Sequence, residues 1–222
     1  MNTKIFAAAG LAMAATIASA DVAITTFAYS DLDTSYFTQD GDTGLFTARA
    51  GSDSSGDVTS LVNGAQTAEY DNAFANDDSS LADVVFEMNI SNITSNSADA
   101  AGSFVITDMD GDTISGTLAG AWARASAGAT VLFFNGTLTD VVYTASGNGT
   151  FEGVGGSGFG LTPYLLNNSF SGGLVQVSFG VESFFDESFE LSGSQFSGTI
   201  VPTPGAAALL IGAGGLVSRR RR

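Results

Sequence analysis

The sequence predicts an all-β fold, an antiparallel β-sandwich with jelly-roll-like connectivity. Apolar and polar residues alternate over several stretches, of which residues 83–90 are the clearest, and this period of two is typical of a strand with one buried face. Asn-Gly and Asp-Gly dipeptides separate these stretches at short spacing, and such dipeptides favour tight hairpin turns. A β-solenoid is the alternative, although the chain shows no true internal repeat.

Further strands follow from the same periodicity. Ile114, Leu118 and Trp122 share one face of a long strand whose other positions are mostly small or hydroxylated. Apolar residues alternate again over residues 175–181, and their spacing in residues 189–200 suggests a closing hairpin. No helical period of useful length occurs between the two termini, so we expect helices only as short apolar segments at the ends.

Four dipeptides mark expected turns, because their residues tolerate positive φ. They are Asn63-Gly64, Asp110-Gly111, Asn135-Gly136 and Asn148-Gly149. Three stretches rich in Asp, Ser, Gly or Asn are expected to be mainly loops, with short strands between them: 31–57, 66–80 and 147–173. The body of the protein should therefore consist of many short strands joined by turns.

The first twenty residues have the layout of a secretory signal peptide. Lys4 supplies the positive charge, and residues 5–17 form the apolar region. Ala18 and Ala20 frame an A-x-A cleavage site, which would make Asp21 the new N-terminus after passage through the Sec export machinery. A transmembrane helix is the weaker interpretation, because the apolar run is short and no stop-transfer charge follows it.

Residues 201–222 form a C-terminal tail with three parts. The motif Val201-Pro202-Thr203-Pro204 should end the preceding strand, because proline lacks an amide donor and fixes φ. The apolar run 206–217 would span about 18 Å as a helix, short of the ~30 Å hydrocarbon core. Four arginines follow that would stay on the cytoplasmic side of a membrane: Arg219, Arg220, Arg221 and Arg222. The tail therefore predicts transient membrane association.

This order of parts resembles the PEP-CTERM sorting signal of exported bacterial proteins. The resemblance covers only residues 201–222, and Thr203 stands where the family usually has Glu. It implies that an exosortase, a membrane protease-transpeptidase, recognises the tail and removes it. It also implies an inner-membrane intermediate and a final place at the cell surface or outside the cell, in an exopolysaccharide or biofilm setting. A plain C-terminal anchor is the alternative.

Between the two terminal segments lies one acidic domain, residues 21–200. It holds all 23 acidic residues of the chain but only two basic ones, Arg49 and Arg124. Nucleic-acid binding is therefore not expected, because phosphate contacts need Lys and Arg. Multivalent cations, cationic polymers and basic proteins are the natural electrostatic partners, whereas solubility in salty surroundings would need no partner at all.

The chain contains no Cys and no His. Disulfides, thiolate sites, Ser-His-Asp triads and His-ligated zinc are therefore excluded. A two-carboxylate glycosidase needs neither residue type. Its candidate acids would be Glu182, Asp186, Glu187 and Glu190, with Glu87 and Glu152 elsewhere. We expect these side chains to decorate a solvated face instead, so no catalytic residue is assigned.

Asp108, Asp110 and Asp112 occupy alternate positions, like the start of a calcium loop. The EF-hand pattern requires Gly at its sixth position and Glu at its twelfth, but Thr113 and Ala119 stand there. Two hypotheses remain for these aspartates: a solvated hairpin turn, which is preferred, and a calcium site of another type. No other cofactor is predicted.

Three function classes follow, in order of preference. The first is a non-enzymatic surface or matrix protein, sorted through its tail and associated with exopolysaccharide. The second is a carbohydrate- or calcium-binding adhesin module, and the third is a two-carboxylate glycosidase. The first class is preferred because it does not depend on residue types that the chain lacks.

Overall fold

The structure, a computed structural model of the chain, describes residues 22–39, 42–62, 64–71, 74, 80–124, 126, 128–178 and 184–203. The predicted signal segment, with Ala18, Ala20 and Asp21, lies outside these residues. Pro204, the apolar run 206–217 and the four terminal arginines also lie outside them, and with them the two expected terminal helices.

The described residues form an all-β fold, which confirms the predicted fold class. The helical elements among the described residues are one 3₁₀ turn (Val154–Gly156) and one four-residue helix, α1 (Pro163–Leu166). The strands in chain order are β1 (Thr25–Thr38), β2 (Gly44–Arg49), β3 (Ser55–Ser60), β4 (Gln66–Asp71), β5 (Asp83–Ser91), β6 (Ser97–Thr107), β7 (Thr113–Arg124), β8 (Leu132–Thr144), β9 (Thr150–Glu152), β10 (Gly158–Gly160), β11 (Phe170–Ser178) and β12 (Phe189–Pro202). No helix in the described part of the chain is long and apolar enough to cross a membrane.

Ten of these strands make one antiparallel sheet. Its hydrogen-bonded order is β12-β11-β8-β7-β6-β5-β2-β1-β3-β4, and β9 and β10 form a separate two-stranded sheet. Strands β5 to β8 are a simple meander, so the connectivity is more sequential than the nested Greek keys of a jelly roll. All pairings among the described strands are antiparallel, which does not fit the parallel coils of a β-helical solenoid.

Strand β1 joins distant parts of the sheet. Its residues 25–30 pair with β3 and residues 33–38 pair with β2, while β12 runs along its other side. The change of partner falls at Asp31, whose φ is 57° and where the register with β12 also shifts. Because β12 stands at the far end of the strand order, this pairing folds the sheet back over its own face. The result is a sandwich-like body around one core.

The core follows the predicted alternation. All four alternating apolar residues of β5 are buried, and so are the three predicted on one face of β7. Aromatic pairs link strands that are remote in sequence, as where the rings of Phe86 in β5 and Phe196 in β12 stack with centroids 4.3 Å apart. Such a pair contributes about 0.5–1.5 kcal/mol beyond the area it buries. The aromatic core therefore helps to hold the folded-back sheet together.

Two sequence expectations are wrong for single elements. The sequence predicts a turn at Asn135-Gly136, but both residues lie inside β8. Gly136 instead leaves room for the Phe134 ring and the neighbouring strand β7. A Cβ there would lie 2.5 Å from the Phe134 ring and 2.9 Å from the Ala119 carbonyl oxygen. Residues 189–200 form no hairpin, because they pair with β1 along their length as one strand, β12.

The stretches expected to be irregular contain more structure than their composition indicates. Residues 31–57 include half of β1 and all of β2, and residues 145–169 contain β9, the 3₁₀ turn, β10 and α1. Helix α1 has an ordinary start, because Thr162 caps it by accepting the Leu165 amide and Pro163 follows at once. Residues 145–169, which we call the 145–169 segment, leave the main sheet after β8 and pack beside β4.

Candidate metal centre

The turn between β6 and β7 brings the three predicted aspartates together. The Asp108 amide donates to the Asp112 carbonyl oxygen at 3.0 Å. Gly111 has a φ of 103°, which residues other than glycine rarely adopt. The Asp110-Gly111 dipeptide therefore makes the expected turn. One carboxylate oxygen from each of Asp108, Asp110 and Asp112 lies within 4.8 Å of the others, and we call these three residues the aspartate cluster.

The Asp108 carboxylate is fully buried and organises the turn. Its Oδ1 accepts the backbone amides of Asp110, Gly111 and Asp112 at 3.1, 2.8 and 2.7 Å. Its Oδ2 accepts the amide of Glu152, in β9, at 2.7 Å. One side chain therefore holds both its own turn and a strand of the 145–169 segment.

Asp112 and Asp110 hold the chain that follows β8. Asp112 is fully buried, and its Oδ1 and Oδ2 accept the amides of Gly147 and Gly149 at 2.5 and 2.8 Å. Asp110 is half-buried, and its Oδ2 accepts the amide of Asn148 at 2.8 Å. Three successive amides thus point at two carboxylates, much as backbone nests surround an anion.

Gly147 is required by the close approach of the two loops. A Cβ on this residue would lie 2.6 Å from the carboxylate carbon and from both carboxylate oxygens of Asp110. Any other residue would have to displace the carboxylate or the loop. The sequence marks this position only as one glycine among many in a glycine-rich stretch.

The cluster concentrates negative charge in a buried place. Seven backbone amides point at its three carboxylates, and the ion pair between Arg49 and Asp83 lies elsewhere. Asp110 Oδ1 is buried and has no hydrogen-bond partner among the described residues. Carboxylate oxygens are the ligands that hard cations prefer, and carboxylates this close need a cation or a shared proton. The aspartate cluster can therefore hold a metal ion.

Burial shifts the acid–base behaviour of the site. It raises the pKa of Asp108 to about 6, with a further rise from the Asp110 side chain and an opposing effect of the amides of Glu152, Asp110 and Asp112. Tyr70, a fully buried residue of β4, has a pKa raised well above its ordinary value, first by burial and then by the charges of Asp108 and Asp110. The charged cluster is therefore costly to bury without a cation.

Sequence reasoning found the three aspartates but not their surroundings. The hypothesis of a solvated turn does not describe Asp108 and Asp112, which have no exposed surface. The amide donors at residues 147–152 carry no local signal that points to the aspartates. The Asn148-Gly149 dipeptide predicts a turn, but it does not predict what that turn packs against.

The first three residues of the predicted sorting motif are also described. Val201 and Pro202 are the last residues of β12 and still pair with β11. The Thr203 hydroxyl donates to the Ser169 carbonyl oxygen at 3.3 Å. The strand therefore ends within the motif, as the prolines predict, and Pro204 lies outside the described residues.

Two carboxylates considered for glycoside hydrolysis lie far apart. Glu87 and Glu190 stand in one row across four strands, joined through Thr47 and Ser35. Three interstrand steps of about 4.8 Å put them about 14 Å apart, whereas glycosidase carboxyls lie about 5–9.5 Å apart. Glu182 lies outside the described residues.

An open groove of about 800 Å³ crosses β1, β3, β4 and β12. Asp57, Glu69 and Asp71 line it together with serine and threonine residues. Asp57 faces Glu69 directly across the β3–β4 pair, and its pKa is raised by burial and by the Glu69 charge. Because like charges oppose each other there, the groove suits a cationic ligand better than an anionic one.

Comparisons of the chain with protein-family models, curated proteins and solved structures gave no match. Neither the fold nor the aspartate cluster therefore takes a function from a relative. The function has to be argued from the residues and contacts described above.

Proposed function

We propose that the chain is an exported, non-enzymatic protein of the cell surface or extracellular matrix, sorted by an exosortase-type enzyme. The observation that carries the proposal is the three-part tail, with Val201-Pro202-Thr203-Pro204, the apolar run 206–217 and the terminal arginines. The signal segment before Asp21 supports Sec-dependent export, and the tail supports a transient inner-membrane intermediate.

The end of the described fold is compatible with processing at this place. Strand β12 ends at Pro202, within the motif. An enzyme that reads the motif would therefore meet it where the sheet stops. Because Val201 and Pro202 are paired with β11, we expect recognition to centre on Thr203 and Pro204.

The rest of the molecule favours a binding or structural role over catalysis. The chain lacks His and Cys, and Glu87 and Glu190 are too far apart for a glycosidase pair. The acidic domain carries 23 acidic residues against Arg49 and Arg124. Such a surface suits a hydrated matrix of exopolysaccharide, in which cations link the carboxylates of the protein to those of the polymer.

Intact-mass measurement of the native protein from cell-surface and medium fractions tests the sorting proposal. We expect a species that begins at Asp21 and lacks the residues after the Val201–Pro204 motif. A matched variant with Arg219–Arg222 changed to serine should lose the processed species, because the tail could no longer stop at the membrane. A native species that still carries the arginines would contradict the proposal and identify a plain anchor.

We also propose that the aspartate cluster binds calcium, which would make the domain a calcium-dependent module. The specific observation is the buried Asp110 Oδ1, which has no hydrogen-bond partner among the described residues and lies within the group of three carboxylates. Calcium accepts irregular sets of oxygens, whereas magnesium demands a near-ideal octahedron and keeps several waters. The ion would offset the repulsion between the carboxylates and fasten the segment after β8 to the β6–β7 turn.

Calcium titration of the full chain, followed by calorimetry and thermal unfolding, tests this second proposal. At 100 times Kd the ion should add about 2.7 kcal/mol to the free energy of unfolding, which corresponds to a rise in Tm of about 5–10 °C. Asp110→Asn should remove most of this effect. Asp42→Asn is the matched control, because Asp42 is exposed and residues 40–43 have the same sequence, Asp-Gly-Asp-Thr, as residues 110–113. Equal responses of both variants would contradict the site.

A further inference from the structure

The open groove over β1, β3, β4 and β12 continues along the outer side of the main sheet. A second hollow of about 510 Å³ extends it over β8 and β11, and the two share Ala28, Asp57 and Ser197. Together they form what we call the outer groove, which crosses the neighbouring strands β8, β11, β12, β1, β3 and β4. Five interstrand steps of about 4.8 Å give it a length of about 24 Å. The outer groove therefore has the dimensions of a site for an extended, chain-like ligand.

A row of threonines runs along the outer groove. Thr199, Thr26, Thr59 and Thr67 are direct cross-strand neighbours on β12, β1, β3 and β4, and all four line the groove. The hydroxyls of Thr59 and Thr67 lie 2.8 Å apart and share a hydrogen bond. Each of these four strands thus presents one hydroxyl, a group that both donates and accepts hydrogen bonds.

A second row, parallel to the first, carries negative charge. It consists of Ser197, Ala28, Asp57 and Glu69, which are again direct cross-strand neighbours. Like charges in directly opposite positions, here Asp57 and Glu69, destabilise a strand pair. A positive charge close to both carboxylates would remove this repulsion and favour their charged forms. The unliganded groove therefore bears a free-energy cost that a cationic ligand would offset.

The lining of the outer groove also disfavours other classes of ligand. Neither Arg49 nor Arg124 lines it, so it offers no charged partner to an anionic polymer among the described residues. None of the large apolar side chains that are exposed in the described part of the chain lies in it. Protein partners usually rely on such aromatic and apolar anchors at the centre of an interface. The lining therefore favours a hydroxyl-rich ligand with positive charges.

We propose that the outer groove binds a linear polysaccharide of amino sugars whose amino groups are free and charged. The ammonium groups bond to the carboxylates of Asp57 and Glu69, and the sugar hydroxyls bond to the threonine row. This inference deepens, and rests on, the proposed association with exopolysaccharide. It adds a direct contact that needs no bridging cation, in a groove that shares no residue with the aspartate cluster.

Titration calorimetry of the full chain with a glucosamine hexasaccharide tests the proposal. The N-acetylated hexasaccharide is the matched probe, because it has the same rings and linkages without the positive charges. EDTA in both titrations removes calcium, so that no bridging ion contributes. We expect the glucosamine oligomer to bind, and the N-acetylated oligomer to bind about tenfold more weakly or less.

Paired variants test where the oligomer binds. Asp57→Asn with Glu69→Gln should lower the affinity for the glucosamine oligomer about tenfold or more. Glu87→Gln with Glu190→Gln is the matched control, because it changes the net charge equally at two exposed residues outside the outer groove. This control should bind like the unmodified chain. If the groove variant does not fold, carbodiimide coupling of the oligomer to the unmodified chain decides, and mass spectrometry must then find amide bonds at Asp57 or Glu69.

The outcomes separate this inference from the proposed function. Equal losses in both paired variants, or equal binding of the two hexasaccharides, would overturn the inference. Binding of an oligolysine but not of the glucosamine oligomer would overturn it in favour of a basic protein partner. Binding of polygalacturonate with calcium, but not of the glucosamine oligomer, would overturn it and leave the cation-linked matrix standing. The sorting proposal is tested separately, because intact mass does not depend on the groove.

Discussion

The Asp108 carboxylate accepts the Glu152 amide at 2.7 Å, across 44 residues of sequence. The same carboxylate accepts three amides of its own turn. A single buried anion therefore connects the β6–β7 hairpin to β9, in a chain that has no cysteine to make a covalent link. The stability of this junction should depend on that one side chain.

Asp108→Ala should lower the free energy of unfolding by about 2–4 kcal/mol. Four buried or partly buried amides lose their acceptor, and each unsatisfied buried group costs about 1–3 kcal/mol before the turn relaxes. Urea unfolding without added calcium measures the change. Glu87→Ala, on the exposed side of β5, is the control and should stay within about 0.5 kcal/mol. Equal urea midpoints for the two variants would contradict the stabilising role of Asp108 at this junction.

Gly147→Ala should weaken calcium binding and lower stability by about 1–3 kcal/mol, because the new methyl group would push on the Asp110 carboxylate. Gly160→Ala is the matched control in the same segment, since a Cβ there meets no atom within 4 Å. Calorimetry and urea unfolding of both variants check the prediction. A Gly147→Ala protein with unchanged calcium affinity would mean that the two loops separate without affecting the site.

Gly120→Ala should destabilise the sheet by about 1–3 kcal/mol. A Cβ on Gly120 of β7 would overlap the Asn135 carbonyl oxygen of β8, which is backbone and cannot move aside cheaply. Gly173→Ala, in β11, has its nearest atom at 3.8 Å and should be nearly neutral. Thermal unfolding of the pair decides, and a Gly173→Ala protein that is the less stable of the two would contradict this account of the packing.

Titration of Asp108 should contribute to the pH dependence of the free energy of unfolding. Its pKa, raised to about 6 by burial, lies above the ~3.9 of an unfolded aspartate, so the folded chain binds this proton more tightly. Without metal, the contribution of Asp108 to the free energy of unfolding is full below about pH 4 and is lost as the pH rises to about 6. With excess calcium the sign should reverse, because the ion needs ionised carboxylates.

Asp108→Asn cannot titrate and isolates this contribution. Urea unfolding at half-unit steps from about pH 4 to pH 7 should show a steeper fall for the unmodified chain than for the variant. Asp57, whose pKa is also raised by burial, keeps its own contribution in both proteins. Parallel pH profiles would show that Asp108 has no raised pKa in the folded state.

Strand periodicity carried most of the fold prediction. In β5 the burial alternates without interruption, and in β7 the large apolar residues at every fourth position are buried, so these residues could be predicted one by one. β11 shows the limit of the method, because the alternation predicted over residues 175–181 would put Leu174 on the polar side of the strand, whereas Leu174 is buried. Glycines at residues 172 and 173 leave no pattern there to fix the register.

Glycine also has two uses that a single sequence does not separate. Gly111 supplies a positive φ in a turn, whereas Gly136 lies within a strand because the Phe134 ring needs the space above it. Both follow Asn or Asp, so both match the same turn signal. Only the packing of the neighbouring strand distinguishes them, and that is a property of the folded chain.

The candidate site also has one part that the sequence predicts and one part that it does not. The three aspartates are local in sequence, and their spacing predicts a shared turn. Their partners are not local, since the Glu152 amide reaches Asp108 only through the course of the 145–169 segment. A long-range contact of this kind leaves no periodic or dipeptide signal at either end.

The pairing of β1 with β12 has a consequence for when the protein can fold. Thr25 is registered with Ile200, and the Ile24 amide donates to the Ile200 carbonyl oxygen at 2.9 Å. β1 therefore cannot pair with β12 until the last strand of the domain has been synthesised. Pairings between residues so distant in sequence also form slowly. Under the proposed export, an unfolded chain that crosses the membrane could close this sheet only after both ends of the domain had reached the other side.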